Sequence, residues 1–144
     1  MLKIINENWK WRDINAIKII DQNDFGNIIF QNIDNSIWRI CPEELECIKI
    51  AITLEDFNSL KLDNDFIIDW NFEHLVNKCK KEIGNLELNE KYYLIIPAIL
   101  GGKYEASNIS KINFEELISI SADLAFQVNN LAEGQKIIFK TLNK

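Results

Sequence analysis

Two β-rich runs held apart by a short polar turn constrain this chain more than any other feature. Residues 25–31 (Phe25-Gly26-Asn27-Ile28-Ile29-Phe30-Gln31) and 36–40 (Ser36-Ile37-Trp38-Arg39-Ile40) flank Asn32-Ile33-Asp34-Asn35. Asn and Asp tolerate the left-handed backbone a tight reversal needs, so the spacing predicts an antiparallel hairpin. Alternation places Ile37 and Arg39 on one face of the second arm, with Trp38 and Ile40 on the other. Pro42 has no N–H to donate and ends that arm. Ile48-Lys49-Ile50-Ala51-Ile52 alternates and reads as a third strand.

Helix signals follow. Thr53 can cap a short helix ending by about Leu60, with Glu55 and Asp56 at the positive end of its dipole. Residues 65–70 fit either an irregular link or a strand. A second helix runs from Asn71 through Phe72, Leu75, Val76 and Cys79, with Gly84 as its C-terminal stop. Residues 91–97 form a β stretch closed by Pro97, and Leu100-Gly101-Gly102-Lys103 is a turn. Residues 113–129 give the most secure helix, capped by Asn113, with Leu117, Ile120, Ser121, Leu124 and Val128 along its apolar stripe. Residues 136–141 alternate as a closing strand. Near the N-terminus, Trp9, Ile14, Ile17 and Ile20 fall roughly in helical register, although the β-branched content opposes a helix. The order of elements predicts an α+β fold, a mostly antiparallel sheet with helices packed on one face.

The chain has 144 residues, the size of a single domain spanning 1–144, without repeats or linkers. Scarce Pro and Gly with plentiful aromatics argue against disorder. No apolar run approaches the ~18–20 residues of a membrane span. The N-terminus turns polar too soon for a signal peptide. Three cysteines without an export signal point to reduced thiols in the cytoplasm. Twenty-two acidic against sixteen basic side chains give a net charge of −6. That balance disfavours nucleic acid, which needs a basic patch, and favours a cationic partner. The one close basic cluster, Lys78, Lys80 and Lys81, reads as a solvated helix face.

No constellation for catalysis emerges. His74 is the only histidine, and on a shared helix it would point about 140° away from Cys79 at roughly 100° per residue. Cys41, Cys47 and Cys79 lack zinc-site spacing and read as core thiols. Asp63, Asp65 and Asp69 mimic part of a calcium loop but lack its glycine and its closing glutamate. The turn at Gly101-Gly102 has no Ser or Thr after Lys103 and no helix directly behind it, so it is no phosphate loop. Glu43, Glu44 and Glu46 sit between two strands, where adjacent carboxylates ordinarily face water. The expectation is a chain that is not an enzyme and binds no metal or cofactor.

Several segments in order carry a resemblance: Ile37-Trp38-Arg39-Ile40-Cys41-Pro42-Glu43-Glu44-Leu45-Glu46-Cys47, then Asp69-Trp70, then residues 93–97. Leu100-Gly101-Gly102, Asn108-Ile109, Ser121-Ala122-Asp123-Leu124-Ala125 and Leu131-Ala132-Glu133-Gly134 complete the set. The set, over residues 25–141, resembles the C-terminal domain of the Tdi-type immunity proteins of type VI secretion systems. The resemblance implies a protein that binds and neutralises a cognate toxin, commonly a nuclease, inside the producing cell. A nuclease cleft is basic because it holds phosphates, so an acidic binder suits it. Glu43, Glu44, Glu46, Asp63 and Asp65 are the carboxylates expected at such an interface, with Trp70 or Tyr104 as an aromatic anchor. Trp38 and the paired glycines read as structural. The alternative function is a small-ligand-binding or regulatory domain with a pocket between sheet and helices.

Overall fold

A computed structural model describes residues 1–131 of the chain. The strand expected over residues 136–141, and Ala132-Glu133-Gly134, lie outside the described residues. Four strands form an antiparallel meander, β1 (Ala16–Gln22), β2 (Ile28–Asn32), β3 (Ile37–Cys41) and β4 (Glu46–Ala51), in that spatial order. The expected hairpin is β2–β3, with Phe30 opposite Trp38 and Ile28 opposite Ile40. Asn35 takes the left-handed backbone of its turn at φ 70°, and Asp34 and Asn32 supply side-chain hydrogen bonds around it. From Ala16 onward this region is a strand, because Ala16, Lys18, Ile19, Asp21 and Gln22 pair with β2 instead of continuing the first helix. That helix, α1 (Leu2–Trp9), lies upstream and ends in a 3-10 turn over Lys10–Arg12.

After β4 come α2 (Leu54–Leu60), α3 (Asn64–Asn71) and α4 (Glu73–Glu82). The segment expected to be a link or a strand is therefore helix α3, which the Asp63 side chain starts by accepting the Phe66 amide at 3.1 Å. Thr53 caps α2 in the expected way, through the Asp56 amide. A separate two-stranded ribbon joins β5 (Glu90–Leu94) to β6 (Ile109–Asn113). The last described helix, α5 (Phe114–Asn129), begins at the Asn113 cap.

The α+β class stands, but the helices cover both faces of the four-stranded sheet. On one face, Ile28, Phe30, Ile40 and Cys47 pack with Ile5 and Trp9 of α1 and with Ile118, Ala122 and Ala125 of α5. On the other, Ile29, Ile37 and Ala51 pack with Phe57 of α2 and Trp70 of α3. The physical cause lies in β2, where Ile28, Ile29 and Phe30 are consecutive and all buried; a strand apolar on both faces needs cover on both. A third cluster joins Phe25 to α4 and the ribbon through Val76, Cys79, Tyr92, Leu94 and Ile109. No helix among the described residues is long and apolar enough to cross a membrane.

Candidate functional site

Arg39 is the starting point, because β3 points it toward the α2–α3 side of the sheet, where a cation needs compensation. Its Nε donates to Asn27 Oδ1 at 2.9 Å, and its Nη1 reaches Asp69 Oδ2 of α3 at 2.7 Å. The guanidinium lies over the Trp70 ring, 5.1 Å from its centroid. Trp70 in turn stacks on Phe66, the ring planes 6° apart. Arg39 thereby ties helix α3 to the sheet by charge, hydrogen bond and ring contact together.

Asn27 faces two ways. Its Nδ2 donates to both carboxylate oxygens of Glu43, each at 2.9 Å. Glu43 sits in the 3-10 turn Pro42–Glu44, which closes on Leu45 in the left-handed region at φ 52°. This turn folds Glu43 inward until only 3% of it remains exposed. Burial raises its carboxyl above the ordinary range, against the opposing hydrogen bond from Asn27. Glu43 is thus not the water-facing carboxylate that a loop position suggests.

Glu44 and Glu46 stay nearer solvent. The Tyr104 hydroxyl donates to Glu44, and burial, with that contact, raises the phenol above its ordinary range. Glu46 is exposed at the start of β4; partial burial and then the Glu44 charge push its carboxyl upward. These groups line a cleft of about 220 Å³ together with Arg39, Cys41 and Asp69. Its floor is finished by Phe72, the single residue joining α3 to α4, in the left-handed region at φ 46°. The Phe72 ring stacks on Tyr104 at 5.9 Å and packs against Phe25 at 5.3 Å.

Of the residues expected from sequence, the cleft gathers Glu43, Glu44, Glu46 and Tyr104. Trp70 is only 7% exposed and forms the support beneath Arg39, so it offers a partner no free ring. Asp63, the cap of α3, and Asp65, in its first turn, are exposed and lie outside the cleft lining. Asn27, Arg39, Asp69 and Phe72 complete the arrangement without being among the site residues expected from sequence. One available signal was Arg39 itself, a lone cation sharing a strand face with Ile37 and therefore in need of a carboxylate.

The remaining chemistry-bearing groups are sequestered or scattered. All three cysteines are free and buried. Burial pushes the Cys47 thiol up to about 12 and raises Cys41 and Cys79 as well. His74 faces water on α4, while Cys79 of the same helix is fully buried. Among the described residues no group of three His, Cys, Asp or Glu side chains is placed to hold a metal ion; Asp63 caps helix α3, and Asp65 and Asp69 lie along it. The turn at Leu100-Gly101-Gly102 is structural in its geometry. A Cβ on Gly102 would lie 1.7 Å from the Ile96 carbonyl oxygen, and Gly101 is at φ 95°.

The crystal structure of Atu4351 from Agrobacterium tumefaciens is similar at 19% identity and a TM-score of 0.46, covering 69% of this chain and 50% of that one. The chain thus spans about half the length of that protein. No curated protein matches. The family described as T6SS immunity protein Tdi1, C-terminal, matches residues 51–125. That stretch holds α2, α3, α4, the β5–β6 ribbon and most of α5, and so includes Asp69, Phe72 and Tyr104 on the helical side of the cleft. More than half of the sequence carries the match, and the chain belongs to the T6SS immunity protein Tdi1 C-terminal family.

Proposed function

We propose that this chain is a non-enzymatic immunity protein that binds a cognate secreted toxin in the cytoplasm and neutralises it by covering its working surface. Membership of an immunity family over residues 51–125 is the observation that carries this reading. Charge supports a nuclease as the toxin. A nuclease cleft must hold phosphates with basic groups, and a chain of net charge −6 is attracted to such a surface and repelled by nucleic acid itself. Glu44, Glu46, Asp63 and Asp65 supply accessible carboxylates, and Tyr104 supplies an aromatic edge at the cleft. Glu43 and Trp70 act behind this surface by holding Arg39 and α3 in place. Buried thiols with raised pKa are poor nucleophiles, which fits recognition without bond-making.

The test is rescue together with capture. Each candidate toxin from the neighbouring reading frames is expressed in a sensitive host with and without this chain, and the purified pair is analysed by size-exclusion chromatography. Co-elution with restored viable counts is the expected result. Toxicity unchanged by the chain, with no complex formed, sinks the proposal. The alternative of a small-ligand domain calls for a deep apolar cavity; the cleft, about 220 Å³, sets five charged side chains among its apolar ones.

A further inference from the structure

The net charge of this chain is concentrated in one layer. Residues 51–73 carry six acidic side chains, Glu55, Asp56, Asp63, Asp65, Asp69 and Glu73, against the single cation Lys61. The rest of the sequence holds sixteen acidic and fifteen basic residues and is close to neutral. All six carboxylates are exposed, and among the described residues Asp69 alone of them forms an ion pair, with Arg39. First-turn placement on α2, α3 and α4 accounts for Glu55, Asp56, Asp65 and Glu73, capping for Asp63, and the Arg39 pair for Asp69. None of these explains the large apolar side chains left in water among them.

Leu62 is 75% exposed and Ile68 71%, with Ile67 beside them also exposed. Ile67 and Asn71 border two hollows, one on each side of α3. The first, about 400 Å³, runs toward Ile20, Phe57 and Trp70 and takes in Leu62. The second, about 440 Å³, runs toward His74 and takes in Ile68. The helix thus presents an apolar ridge between two depressions; Asp21 and Lys61 border the first and Glu73 the second, with Asp63, Asp65 and Asp69 on or capping the same helix. Its position is fixed from behind by the Arg39–Asp69 pair and the buried Trp70. A prearranged apolar centre with a charged rim is the anatomy of a protein interface.

We infer that the α2–α3 layer is the docking face for a cationic protein surface, that of the toxin, whose apolar side chains seat on the Leu62–Ile67–Ile68 ridge while its basic groups meet the surrounding carboxylates. The inference rests on the immunity reading above and assigns that reading a face. Charge selects this occupant. A second copy of the chain would set acid against acid, and an anionic lipid surface or nucleic acid would be repelled in the same way.

The experiment measures binding of the purified, catalytically inactivated toxin to four forms of the full chain, each checked for its thermal melt. These are the wild type; Leu62→Ser with Ile68→Ser; Asp65→Asn with Glu73→Gln; and Leu88→Ser with Glu116→Gln as a control outside the layer. The apolar pair of changes is expected to weaken binding at least about tenfold, mostly through faster dissociation. The charge pair is expected to slow association about threefold or more at low salt and to flatten its salt dependence. The control stays within about twofold of wild type, since Leu88 is exposed but lies outside the acidic layer. Wild-type binding with both layer variants within twofold overturns the docking face and leaves the immunity reading standing. A wild type that neither binds nor protects overturns both. A concentration-dependent dimer that the Leu62/Ile68 variant abolishes also overturns it, by showing the ridge to be a self-contact.

Discussion

Glu43 is a carboxyl group whose folded environment favours the protonated form. Its ordinary value is 4.5 and burial raises it, so the folded chain holds a proton that the unfolded chain has released. Stability must then fall as pH rises from about 4.5 through the folded value, because the unfolded state binds fewer protons there. Glu43→Gln removes this titration, and the decline in melting temperature over that interval is expected to become shallower than in wild type. An unchanged slope would show that Glu43 is not the group responsible. Asn27→Ala is more severe, since it strips Glu43 of its donor and Arg39 Nε of its acceptor at once. A loss of about 2 kcal/mol is expected from urea unfolding, the scale for leaving buried polar groups without hydrogen-bond partners. These partners were hard to read from sequence for a simple reason. Glu43 turns inward because Asn27, sixteen residues away, meets it there, and no local pattern distinguishes it from its neighbours Glu44 and Glu46.

Whole elements were more legible where a cap or a turn announces them. The β2–β3 hairpin, the Thr53 and Asn113 caps and the stop at Gly84 all follow from residue types with one favoured backbone role. Helix α3 was not legible by composition, because Phe66, Ile67 and Ile68 prefer strands and only the Asp63 cap speaks for a helix. Strand β6 escaped for another reason: Ile109–Asn113 is short and ends on the residue that caps α5. Asp63 therefore has two separable roles, and a pair of variants divides them. Asp63→Ala is expected to lower stability by about 1 kcal/mol through loss of the cap, whereas Asp63→Asn keeps a capping oxygen and should melt with wild type. Slower association with the toxin in both variants would assign the Asp63 charge to the interface. Normal association in Asp63→Asn would confine the residue to helix initiation.

At the scale of the whole molecule, the sheet is sandwiched, with α1 and α5 over one face and α2 and α3 over the other. The consecutive buried run Ile28-Ile29-Phe30 already contained that arrangement, whereas a half-exposed strand would have alternated. The three cysteines fall in different places within this packing: Cys47 in the core under α1 and α5, Cys79 in the cluster with the ribbon, and Cys41 beside the cleft. Each thiol is buried and holds its proton above its ordinary value. Modification by a thiol reagent at pH 8 is accordingly expected to be slow for all three and to accelerate together in urea, tracking cooperative opening. One cysteine reacting quickly in native buffer would reveal a local opening at its site. The joint at Phe72 has a mechanical consequence. It links α3 to α4 through one residue whose ring is clamped between Phe25 and Tyr104, so it cannot serve as a free pivot. Tilting of α3 under a captured ligand would be geared into Tyr104 and its Glu44 contact, making the far lip of the cleft a gauge of load on the helix.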